Sequence, residues 1–248
     1  MKIYPRLDQE FKKKSSMDFQ RIWGNLYQAR QNGNKIQGYL WVAFLFIGVF
    51  MGLLAFFLDI IVEMLTHLRL GLTESLFHSN PFLGWLTLTC ISVTFVAIAA
   101  CLTVYLAPTA AGSGVAEAMG MLNGVLYPDY ISLKVLFVKL FGLGFAVSGG
   151  LCAGKEGPLV HMGSIAGIMT AYIPLDIFKY FRNDFEKRKL MAAGIAAGVS
   201  AAFGAPIGGS LFAYEISKPS TFWSFSLTWK VFFAASISTF VLSILKQL

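Results

Sequence analysis

The chain has 248 residues, of which 56% are hydrophobic, 15% aromatic and only 13% charged. A soluble domain of this length could not keep its surface wet with so little charge, so the bilayer is the expected solvent. The formal charge of +7 sits in the first 37 residues and between Lys179 and Lys189 rather than on one face, which argues for positive-inside bias and against nucleic-acid binding.

Residues 1–37 carry eight Lys/Arg against three acids and no apolar h-region, so they are expected to form a basic cytosolic segment with no signal peptide. Residues 38–248 are expected to form the membrane part. Residues 39–65 form a first apolar span, and the loop 66–81, with Arg69 as its one permanent cation, should face away from the cytosol. Residues 83–106 return and stop before Pro108, which cannot continue a helix. The stretch 109–124 is rich in Gly and Ala and too short to cross.

A third helix is expected over 131–152, a glycine break over 154–157, and another helix from Pro158 to Tyr172, with Pro158 suited to a first turn. After the basic loop come two short segments, 190–200 and 205–215, and a last span, 222–245. Cys90, Cys101 and Cys152 have no metal-site spacing and read as small buried hydrophobes, and no metal or cofactor is implied.

Short helices broken by Gly and Pro are the distinctive feature. Irregular backbone at membrane depth is tolerated only where it is buried in protein or lines a polar cavity, and each break aims a helix end at that cavity. Three breaks stand out: Gly112-Ser113-Gly114-Val115-Ala116-Glu117, Gly154-Lys155-Glu156-Gly157-Pro158, and Gly204-Ala205-Pro206-Ile207-Gly208-Gly209, the last leading to Tyr214-Glu215. A small anion in transit needs many weak donors rather than one strong cation that would trap it, and unpaired N–H groups at helix starts, with the Ser113 hydroxyl, meet that need. Glu156 is an acid in apolar sequence at a helix start, where its carboxylate can stand in for an anion. Enzymatic chemistry is not expected, because no nucleophile, base and orienting group occur together outside the spans.

These segments resemble the CLC family of chloride channels and chloride/proton antiporters. GSGVAE is similar to the family's GSGIPE, GKEGPLVHMGS to its GKEGP gate motif, and the Ala-rich run ending in AAFGAP to its equivalent, in the same order over residues 38–248. The resemblance implies an all-α polytopic protein, the first of two inverted repeats with broken, tilted helices. It implies a voltage-gated chloride channel in which Glu156 is the gate and Ser113, Gly112, Gly114, Gly154, Lys155, Gly157 and Pro158 surround the anion. It also implies a homodimer of complete proteins, in a membrane, with chloride or another small anion as cargo and no cofactor.

Departures from the pattern also carry expectations. Ala116 stands where the family has Pro, and Ser113 matches the chloride-preferring members rather than the nitrate-preferring ones. Antiporters usually have Glu-Glu where this chain has Glu215-Ile216, so the relay acid is missing and a passive channel is expected. Glu215 could take over as a proton relay, which keeps the antiporter as the alternative. The family's second repeat, with its GxFxP helix start and pore tyrosine, finds no counterpart, so a half-transporter fragment that needs a partner chain is a further reading. Lys155 could raise the local potential or snorkel to the surface. Lys134 and Lys139 are read as structural, and His161 as a hydrogen-bonded packing residue.

Overall fold

The structure, a computed structural model, describes residues 34–78, 80–127, 129–174, 178–218 and 222–247. Most of the basic N-terminal segment therefore lies outside the described residues. Eight α-helices and no β-strand occur among them: α1 (Asn34–Phe77), α2 (Pro81–Cys101), α3 (Val115–Leu122), α4 (Leu133–Ser148), α5 (Glu156–Thr170), α6 (Asp184–Phe203), α7 (Pro206–Ser217) and α8 (Phe225–Gln247). The chain is all-α and polytopic, as its sequence implies.

Among the described residues, three helical stretches are long and apolar enough to cross a membrane: Gly38–Phe77, Pro81–Leu106 and Phe225–Gln247. Their outward faces carry large exposed apolar side chains such as Phe57, Trp85, Val93 and Trp229, the surface expected against lipid. By contrast α5 and α6 are nearly all buried, so two helices that carry glycines on their facing sides form the centre.

Small residues explain that inversion. Gly163 and Gly167 of α5 face Gly194 and Leu190 of α6, and a Cβ at any of these three glycines would fall onto the opposing backbone carbonyl. Gly198 meets the Leu159 carbonyl in the same way. The two backbones thus touch directly, which is how membrane helices gain packing energy where lipid is as apolar as any side chain. On the outside, Gly48 and Gly52 of α1 lie against the carbonyls of Ala234 and Ser238 of α8, with hypothetical Cβ distances of 2.7 and 2.8 Å.

Several sequence expectations need correction. The stretch 66–77, expected as a loop, continues α1, because it contains no Pro and only one Gly to stop a helix already under way. At 44 residues α1 is roughly 66 Å long, well beyond the ~30 Å hydrocarbon core, so it tilts within the bilayer or projects past it. The charged stretch Asp184–Lys189 is likewise the first turns of α6 rather than a loop, with Asp184 and Glu186 placed favourably at the helix start. Helix α5 begins at Glu156, so Pro158 is its third residue and the preceding break runs back to Ser148, the end of α4. Cys90, Cys101 and Cys152 are exposed rather than buried. A membrane protein's outer surface is itself apolar, so small hydrophobes there need no core.

Helix α2 ends in a π-helical turn, Leu102–Leu106, and a short 3-10 turn at Pro108–Ala110 that delivers the chain to the first glycine break.

Candidate anion site

Two glycine breaks meet. The loop before α3 places Ser113 between Gly112 at φ +70° and Gly114 at φ +79°, left-handed conformations that glycine adopts without strain. Gly157, in the first turn of α5, sits directly against this serine: a Cβ on Gly157 would stand 2.6 Å from the Ser113 Cβ and 3.7 Å from its Oγ. The starts of α3 and α5 therefore converge on Ser113, although 43 residues separate Ser113 from Glu156 in sequence.

An open cavity of about 450 Å³ lies at this junction, lined by Gly112, Ser113, Lys139, Gly154 and Pro158 with apolar walls from α2 and α4. The Ser113 Oγ accepts a long 3.4 Å bond from the Val115 N–H, and among the described residues its own O–H donates to nothing. That hydroxyl and the unpaired N–H groups of two helix starts supply donors for an anion without a strong point charge.

Glu156 is half-buried, and its carboxylate folds back over Gly154 so closely that any Cβ at position 154 would collide with Oε2. The acid thus lies against the backbone of its own break, beside the α5 N-terminus, where the helix dipole favours negative charge. Glycine at 154 is what leaves room for it.

Behind the loop, both flanking carbonyls are tied down. Lys139 Nζ donates to the Gly112 carbonyl at 2.9 Å, and Tyr130 Oη–H donates to the Gly114 carbonyl at 2.8 Å. Lys139 also lies 2.9 Å from His161 Nδ1, and His161 Nε2 lies 3.1 Å from the Tyr130 carbonyl oxygen. The Tyr130 and His161 rings stack at 3.9 Å, 6° from parallel. Carbonyl oxygens that would repel an anion are thereby engaged by donors. His161 is fully buried and hydrogen-bonded, a packing role, and Lys139 is buried in a structural one, whereas Lys134 is exposed. A lysine in the apolar α4 sequence signalled this network, but nothing in sequence singled out Tyr130.

Two candidates lie elsewhere. The Lys155 ammonium turns from the cavity to Asp59 of α1, at 2.7 Å, and Lys246 near the end of α8 approaches the other Asp59 oxygen at 2.6 Å. An acid inside the apolar α1 sequence was the available clue to that ion pair. Glu215 is exposed near the end of α7, 3.6 Å from Lys218, while Ile216 is buried. The Ile216 carbonyl accepts from Asn123 Nδ2, just past the C-terminus of α3, so the Glu215-Ile216 pair lies at the end of α3 opposite Ser113.

Comparison with known proteins identifies the family. Residues 95–248 match the family model described as voltage gated chloride channel. The chain is 44% identical over 218 residues to the H(+)/Cl(-) exchange transporter 7 of Homo sapiens, covering 82% of this chain and 26% of that protein. It is 37% identical over 214 residues to chloride channel protein D of Dictyostelium discoideum, covering 84% of this chain and 21% of that one. The chain thus spans about a quarter of the length of the curated relatives it matches. Among solved structures it is similar to a eukaryotic CLC transporter, with TM-score 0.75, 28% identity and coverage of 83% of this chain and 38% of that one. A slow cyanobacterial Cl-/H+ antiporter gives TM-score 0.75 and 29% identity, over 84% of this chain and 47% of the other. With the family model matched over most of its length and the same fold in solved relatives, the chain belongs to the voltage-gated CLC chloride channel family, a family of multi-pass membrane proteins.

Proposed function

We propose that this chain supplies the first half of a voltage-gated chloride channel, with the anion held beside Ser113 and the flow gated by Glu156. The observation that carries the reading is the convergence of Ser113 and the Glu156–Pro158 helix start on one cavity. Gly112, Gly114, Gly154, Gly157 and Pro158 shape the backbone around the anion. Lys155 acts at a distance, its ammonium held by Asp59. The remaining wall of the pathway comes from the rest of a full-length protein or from a partner chain. In full-length form the protein works as a homodimer, with the N-terminal segment in the cytosol and no cofactor.

Passive flow follows from Ile216, which has no titratable group where antiporters of the family carry an acid. A water chain in its place would cross apolar surroundings in which unpaired polar groups cost several kcal/mol. The test is to reconstitute the full-length protein in vesicles, impose a chloride gradient at zero voltage and record external pH with chloride. Chloride movement without steady proton counterflow is expected.

A second reading, a chloride/proton antiporter, is favoured by the 44% identity to a protein named as an exchange transporter. Sustained uphill proton movement in the same vesicles selects it, with Glu215 as relay.

A further inference from the structure

A second cavity, of about 400 Å³, lies between the C-terminal ends of α3 and α5 and the first turns of α6, remote from the chloride site. It is lined mostly by apolar side chains, among them Met121, Ile168, Met169 and Met191, and by Lys187 and Arg188. Arg188 is 8% exposed, and its Nη1 is buried with no hydrogen-bond acceptor among the described residues. A buried guanidinium nitrogen without a partner is costly, because its desolvation is not repaid. Asp184, on the rim, is already 3.6 Å from Lys187 and is itself 60% exposed.

The surroundings place this cavity at a membrane–water boundary. The charged turn Asp184–Lys189 opens α6, and the Tyr172 ring just past α5 has Lys187 Nζ at 5.2 Å and the Arg182 guanidinium at 6.0 Å. An aromatic ring flanked by cations belongs at the headgroup level. Basic pockets between membrane helices at that depth suit phosphate headgroups, and Arg offers a planar fork that matches phosphate oxygens. The apolar majority of the lining would gain nothing from a bare, hydrated anion.

From this arrangement we infer that the cavity binds an anionic phospholipid, its phosphate against Arg188 and Lys187 and its first methylenes along Ile168 and Met169. The volume admits the headgroup and the beginning of a chain, and the remainder stays in the bilayer. This site is independent of the chloride pathway and stands or falls without it.

The test uses the full-length protein carrying this half, extracted from mixed phosphatidylcholine and phosphatidic acid vesicles and examined by native mass spectrometry. Wild type is expected to retain phosphatidic acid in preference to phosphatidylcholine, and Arg188→Gln to lower that retention about tenfold. Arg188→Lys should keep part of it. Because a buried substitution can disturb folding, Leu126→Trp at an exposed position on the rim provides a second variant that blocks the cavity with Arg188 intact, and it should lose retention equally. Inorganic phosphate added in excess should not displace the lipid; if it does, the site recognises free phosphate and the lipid assignment fails. Equal retention by wild type, Arg188→Gln and Leu126→Trp overturns the proposal.

Discussion

Lys139 and His161, on neighbouring helices, meet through a 2.9 Å contact that fixes the histidine's tautomer. An ammonium can only donate, so Nδ1 accepts, and the Tyr130 carbonyl can only accept, so Nε2 carries the hydrogen. The imidazole is therefore neutral and serves as a strut between the lysine and the Tyr130 backbone. Replacing Lys139 with Met should strand the buried His161 Nδ1, at about 1–3 kcal/mol, and free the part-buried Gly112 carbonyl from its donor. Thermal unfolding of the full-length protein should show the loss, and chloride affinity should fall with it because the loop holding Ser113 is released. Unchanged chloride binding in a destabilised variant would restrict Lys139 to general packing.

The Gly163–Gly194 contact makes a stability prediction that is separate from transport. Gly163→Val places three carbons against the α6 backbone, where no side chain can move aside, so destabilisation should reach at least about 3 kcal/mol. Gly163→Ala should lie between it and wild type. Size-exclusion profiles and melting curves check this order, and a monodisperse, fully stable valine variant would contradict the backbone contact.

Glu156→Gln retains the shape of the protonated acid and removes its charge. If the folded-back carboxylate blocks the anion, wild-type flux should rise as pH falls and the acid is neutralised, whereas the glutamine variant should conduct at all pH values. Chloride efflux from vesicles across a pH series distinguishes the two. A variant that kept the wild-type pH dependence would falsify the gate assignment.

Ser113→Pro deletes the one side-chain hydroxyl among the residues assigned to the anion. Losing a neutral hydrogen bond of about 1 kcal/mol should shift preference several-fold from chloride towards the less strongly hydrated nitrate. Reversal potentials in mixed chloride and nitrate provide the measure, and identical values for both proteins would remove Ser113 from the ligand set.

Membrane residence, the helical class, the break at 112–114, the existence though not the bounds of the break before Glu156, and the family itself were all legible in the sequence, for a physical reason. Hydropathy over about 20 residues reports solvent directly, and glycines needing unusual backbone or close approach are local facts. Helix ends were less legible: α1 runs on to Phe77 and α6 starts at Asp184 because a helix continues through polar residues and tolerates a single glycine. Partnerships were decided only by tertiary structure. Nothing local sends Lys155 to Asp59, 96 residues away, rather than to the anion. Nor does local sequence tie Tyr130 to Gly114 or leave Arg188 buried without a partner, since such pairings depend on which helix faces meet, and here glycine-to-backbone contacts between α5 and α6 set that meeting.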